Sequence, residues 1–154
     1  SSGWLYKYQI KGLRAQIYGF ESDLRYQLNN LIYFGGSISV TRGDNLSQNR
    51  ALEYMPPDKV QFSTEFDLNP LSVSLNLKKV FPQTRLGEFE TKTDGFFIMN
   101  LNGSYTIQSS KISHKFIFQL DNIFNEVYYN HLSRIKQIMP ERGQNFSMQY
   151  RLVF

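Results

Sequence analysis

Enzymes and metal centres need side chains that exchange protons, bind metals or attack, arranged within reach of one another. This chain of 154 residues has two histidines, His114 and His131, and no cysteine. A transition-metal site would have to join histidine to carboxylates from separate loops, without any thiolate. His114 lies beside a predicted turn, as a surface residue. His131 lies in a long polar segment, where contact with a metal or chelate and plain loop packing are both open. His131 and Ser133 lack an orienting acid, and no Gly-x-Ser-x-Gly, phosphate-binding loop or paired-carboxylate spacing occurs. No catalytic residue, cofactor or resident metal is assigned, and no enzyme is expected.

Polar and aromatic groups gather instead in three long connections. Asn45, Gln48, Arg50 and Tyr54 fall in the first, Arg85 and Glu88 in the second, and Tyr129, His131 and Arg134 in the third. Such groups could hold a bulky ligand by hydrogen bonds and stacking. For any single one, simple solvation is an equally good account.

The elements that position these loops read as strands. Tyr18, Phe20, Ser22, Leu24, Tyr26 and Leu28 alternate with Gly19, Glu21, Asp23, Arg25 and Gln27, and alternation holds from about Arg14 to Leu28. Strands in globular sheets average about 5–6 residues, so this one suits a tall barrel. Further strands are predicted over Trp4–Lys11, Ile32–Val40, Val60–Leu68, Leu71–Lys78, Phe97–Ile107, Lys115–Asp121 and Phe146–Phe154. Glu21, Asp23, Arg25, Glu65, Asp67, Lys78, Asp121 and Arg151 occupy the faces opposite the aromatic ones. In a barrel these line the lumen, where charge is tolerated.

The joins alternate in length. Those at 28–31, 69–70 and 108–111 are short, with Asn29-Asn30 expected to use the left-handed conformation that Asn tolerates. Those at 41–59, 82–94 and 125–143 are long. Short turns on one side and long loops on the other describe an antiparallel transmembrane β-barrel, all-β, with about eight long strands, short periplasmic turns and longer extracellular loops. The reversal near Gly12 breaks that parity.

Composition agrees. Aromatics make up 16% of the chain against 19% charged residues. Mean hydropathy is -0.41, an average that says little about barrel strands because each lipid-facing residue has a polar neighbour. No run approaches the roughly 18 apolar residues of a membrane helix. The net charge of +4 comes from scattered Lys and Arg, which gives no footprint for nucleic acid. The start at Ser1-Ser2-Gly3-Trp4 carries no export signal, and the chain is expected to be a fragment.

Two stretches carry a family resemblance. Phe146, Met148, Tyr150, Leu152 and Phe154 resemble the C-terminal signal that barrel-assembly machinery reads in outer-membrane barrels. Gln119-Leu120-Asp121-Asn122-Ile123-Phe124-Asn125, then Tyr128 and Tyr129, resemble the C-terminal region of TonB-dependent outer-membrane receptors. Gly19-Phe20-Glu21, Met55-Pro56-Pro57, Gln83 through Thr93, Asn130–Arg134 and Pro140–Gly143 follow in the family's order. Gln144 departs from it, since Arg is usual after that glycine.

The resemblance implies the C-terminal portion, residues 1–154, of a larger barrel of about 22 strands, with plug and earlier strands absent. It implies a bacterial outer-membrane receptor that imports a scarce nutrient, most often a metal chelate such as a ferric siderophore. Its partners would be outer-membrane lipid, the assembly machinery, TonB through the missing plug, and the chelate, with no nucleic acid. The lumen-facing set would then contact the plug. The alternatives are a complete small eight-stranded barrel, adhesin or structural, and a soluble lipocalin-like binding barrel, whose apolar side would face inward.

Overall fold

The computed structural model describes residues 12–154. The strand expected over residues 4–11 lies outside them, and with it the incoming half of the reversal near Gly12. The regular structure is β1 (Ala15–Gln27), β2 (Ile32–Asn45), β3 (Arg50–Ala51), β4 (Lys59–Leu68), β5 (Leu71–Val80), β6 (Phe96–Ser109), β7 (Ile112–Asp121) and β8 (Asn145–Val153). They form one antiparallel sheet in the order β1-β2-β4-β5-β6-β7-β8, with β3 paired to the end of β2.

The register carries one apolar face across the whole sheet. Leu24 pairs with Gly36, Gly36 with Phe62, Phe62 with Leu77 and Leu77 with Met99; further along, Phe118 pairs with Gly103 and Met148. Side chains on paired residues share a face. Among the described residues nothing covers that face, with Phe20, Leu24, Phe146 and Met148 each 59–68% exposed. An uncovered apolar surface running over seven strands is far larger than a water-soluble monomer carries, and hydrocarbon is its natural cover.

The opposite face is polar and concave. Arg25, Ser37, Ser63, Asn76, Lys78 and Asn100, from five adjacent strands, border one recess of about 460 Å³, so the sheet curls around its polar side. All eight residues expected in the lumen share this face, as the pairs Glu21↔Ser39, Arg25↔Gly35, Asp67↔Ser72, Gln61↔Lys78 and Lys115↔Arg151 set it. A lipocalin-like barrel would have the reverse polarity. Nor do the described strands close on themselves: β1 and β8 each pair with one neighbour. This is a length of barrel wall.

Two boundaries and one turn differ from expectation. The first long loop is expected from Thr41, but β2 runs to Asn45 because β1 supplies partners as far as Ala15↔Asn45; ladder pairing overrides the poor strand preference of Gly43 and Asp44. At the β6–β7 turn the ladder likewise extends to Ser109↔Ile112, leaving Ser110-Lys111 as the connection, with Ser110 at φ 49°. The Asn29-Asn30 turn does not use the left-handed conformation. Instead the Asn29 Oδ1 accepts the backbone N–H of Leu31 at 2.8 Å and of Ile32 at 3.0 Å, so the side chain makes the turn.

Candidate functional site

The loops at the β5–β6 and β7–β8 ends fold over the polar face and join the loop that follows β2. Their floor is a small apolar patch on the otherwise polar side: Val80, Phe96 and Ile98 are buried, and the Tyr128 ring lies 4.3 Å from that of Phe96. These residues break the sheet's alternation because a loop, not water, covers them.

The last loop is anchored at its neck by the Asn122-Ile123-Phe124-Asn125 element. Asn122 is 3% exposed with φ 48°. Its amide Nδ2 donates to the Glu126 carbonyl at 2.8 Å, and its Oδ1 accepts the Glu126 N–H at 2.9 Å. The Asn125 Oδ1 accepts the backbone N–H of Gln144, whose Nε2 donates to the Ile123 carbonyl, both at 2.9 Å. Gln144 therefore ties the end of the loop to its start. A Cβ on Gly143 would sit 2.8 Å from the Asn125 Oδ1 and would push on the acceptor of the Gln144 bond.

The middle loop is pinched by the Gln83↔Thr93 bridge. The buried Gln83 side chain donates to the Met55 carbonyl at 3.1 Å, tying this loop to the first. Glu90 turns back and accepts the N–H of Tyr54 at 2.7 Å and of Gly87 at 2.8 Å. Gly87 packs so closely on Glu53 that a Cβ would lie 2.8 Å from the Glu53 Cα. Ion pairs ring this assembly: Arg42 with Asp58, Arg85 with Asp44, and Arg50 with Glu88. They are partly solvated, so each contributes at most about 1 kcal/mol. The Arg42 guanidinium, hydrogen bonded to Asp58, holds that carboxyl below its ordinary range despite partial burial.

At the centre stands His131, 2% exposed. Its Nδ1 lies 2.9 Å from the Thr93 hydroxyl and 3.2 Å from the Lys136 Nζ. Its Nε2 lies 3.3 Å from Glu90 Oε1, close enough for attraction but off the line of a good hydrogen bond. Burial, then the Lys136 charge, pushes the imidazole below its ordinary value of 6.5, and Glu90 opposes this only in part. Burial pushes Glu90 up, but the two backbone donors, with His131 and Lys136, outweigh it and hold the carboxyl low. Lys136 is lowered by burial, against the pull of Glu90.

The loop candidates are thus separated by the fold. His131, expected among the exposed loop groups, is buried because two loops close over it. Arg50, Arg85 and Glu88 are engaged in ion pairs, whereas Tyr54, Tyr129 and Arg134 stay exposed. Asn45 is buried, its Oδ1 accepting the N–H of Ser47 and Gln48. Glu90 and Lys136 were not foreseen: Glu90 meets a partner some 40 residues away, and Lys136, five residues from His131, is brought to it only by the fold of the loop. Among the described residues no group of three metal-binding side chains converges.

Beneath the last loop opens a cavity of about 330 Å³, bordered by Lys59, Lys78 and Phe96 of the polar face and by Tyr128, Asn130 and Glu141 of the loop. Lys78 Nζ lies 5.9 Å from the Phe96 ring centroid. Among the described residues neither lysine forms an ion pair, unlike the arginines around them. Burial, then Glu141 and Asp121, raises the Tyr128 phenol, which stays protonated as a donor. Two lysines and the neutral donors of Tyr128 and Asn130 outnumber the one carboxylate, Glu141, so the lining suits an anionic group.

No model of a known protein family matches the chain. Among solved structures it is similar to one titled copper transporter OprC, with a TM-score of 0.82 and 25% identity, over 92% of this chain and 24% of that one. The chain spans about a quarter of that structure's length. The likeness fits the receptor-type barrel to which the sequence resemblance pointed. The chain is a segment of outer-membrane β-barrel wall.

Proposed function

We propose that this segment is the C-terminal part of the barrel of a TonB-dependent receptor that imports a metal-bearing nutrient. A plug and the earlier strands would precede it, and TonB would act through that plug. Metal cargo is favoured twice over, by the family resemblance and by the name of the similar structure, a copper transporter. The finer reading is an anionic chelate such as a ferric siderophore. The observation that carries it is the cavity under the last loop, where the ammonium groups of Lys59 and Lys78 have no carboxylate partner while Tyr128 and Asn130 add neutral donors. Two cations against the single carboxylate of Glu141 in a half-buried recess favour a ligand with several negative oxygens.

The test uses the full-length receptor in cells lacking their own copy, with a panel of anionic and neutral ferric and cupric chelates. The wild type should support accumulation of at least one anionic chelate, abolished when the proton gradient is collapsed. The Lys59→Gln/Lys78→Gln variant should assemble normally yet lose that uptake. Accumulation of every chelate at the level of receptor-free cells would overturn the reading.

A further inference from the structure

The group most tightly built into the loop assembly is the His131 imidazole, which also borders the cavity under the last loop and to which the proposed uptake assigns no contact with the cargo. It joins two loops: Thr93 and Glu90 belong to the middle one, His131 and Lys136 to the last. We propose that His131 is the proton-sensitive pin of a latch that holds the last loop over the mouth of the polar face, and that protonation releases the loop.

The neighbours of the ring favour one protonation state. An ammonium group has only donors, so the Lys136 Nζ at 3.2 Å makes Nδ1 an acceptor. The ring proton is then on Nε2, facing Glu90 Oε1, and the latch closes around a neutral imidazole. A second proton must go on Nδ1. There it sets donor against donor and places two positive charges 3.2 Å apart in a site where the His131 side chain is 1% exposed. The Thr93 hydroxyl can rotate to accept, but the Lys136 bond is lost. Lys136 keeps its other acceptor, the Thr91 carbonyl at 2.9 Å.

The surrounding charges set the direction. Glu90 favours the imidazolium, but its carboxylate already accepts two backbone N–H groups and meets Nε2 off axis. Across the cavity, Lys59 and Lys78 from β4 and β5 oppose a further cation, Glu141 of the last loop favours it, and the Tyr128 phenol stays neutral. Burial and Lys136 prevail, so the folded imidazole lies below its ordinary 6.5. The latch's contribution is therefore complete above about pH 6.5 and falls away as pH drops from there towards the lower folded value. Glu90 stays charged through that window because its own value is held low.

Hydrogen exchange of the full-length protein in vesicles, corrected for the intrinsic effect of pH, tests this. Amides of residues 128–139 are compared with those of β6 and β7 as an internal reference. An imidazole that regains its ordinary value on opening allows protection to fall up to about tenfold between about pH 7.5 and about pH 5.5. The reference strands should not change. His131→Gln, which keeps a neutral acceptor, should remove the pH dependence. Lys136→Met, which removes the competing cation, should shrink the fall and serves if the first variant does not assemble. Flat protection in the wild type, or an undiminished fall in either variant, would overturn the latch.

Discussion

Placing a charge on the apolar face offers a quantitative check on the barrel wall. In β1 the band runs Tyr18, Phe20, Ser22, Leu24, Tyr26, all on the face shared with Ile38, Gly36 and Phe34. From Tyr18 to Tyr26 is eight residues, about 27 Å along the strand, and a tilt of about 40° reduces this to about 21 Å of depth. That is close to the roughly 25 Å apolar band of such barrels, so the two tyrosines mark the girdles and Ser22 the middle. Leu24, 68% exposed, then lies about 5 Å from the midplane. Arg costs about 2–4 kcal/mol at the midplane and about 0–1 at the interface, which puts Leu24→Arg near 2 kcal/mol, a roughly 30-fold loss in the folding equilibrium. Its neighbour Arg25 faces the recess, where Arg25→Lys should disturb only the weak 3.8 Å pair with Glu65 and the exposed stacking of the guanidinium 5.4 Å from the Tyr33 ring centroid, under about 1 kcal/mol. Urea titrations of the full-length protein folding into vesicles, read by heat-modifiable mobility, would measure both. Equal costs at the two positions would refute the assignment of faces, since a slip of one residue exchanges them.

Further outcomes follow from the same structure. Asn122→Ala leaves the Glu126 N–H and carbonyl without their side-chain partners and should cost about 1–3 kcal/mol locally, seen as faster proteolysis of residues 122–144 with barrel stability unchanged. Deleting Phe154 should cut the fraction of assembled receptor in the outer membrane if the terminal pattern is the assembly signal; unchanged assembly would remove that role. Residues 1–154 alone, whose described strands do not close on themselves, should aggregate without detergent; a monodisperse, cooperatively unfolding monomer in water would count against a wall segment. Lowering pH from about 7.5 to about 5.5 should loosen residues 128–139 while sparing the strands.

The sheet was legible because its signal is local: a period of two sustained over 9 to 14 residues survives in sequence, and so do the short turns between strands. The loop assembly was not legible. His131 meets Glu90 across 41 positions of chain, and a pairing set by tertiary folding leaves no spacing to read. One clue was available at Gly95-Phe96-Phe97-Ile98-Met99. That run does not alternate, which signals burial on both faces, and the structure covers Phe96 and Ile98 with the last loop. The Asn122–Asn125 element was visible only as a resemblance, and its physical reason is the set of neck hydrogen bonds it makes. Gln144 makes two of them, so the departure from Arg leaves the neck tied.

The central claim, apolar face to lipid and polar face to lumen, is tested most directly by depth-resolved quenching. The chain has no native cysteine, so single cysteines placed in a cysteine-free full-length protein can each carry a fluorophore. At Phe20, Leu24, Phe62 and Phe118 brominated lipid should quench strongly, with little effect of an aqueous quencher. At Glu21, Arg25, Gln61 and Gln119 the order should reverse. Lipid quenching that does not alternate between adjacent positions, or alternates with the opposite phase, would contradict the account.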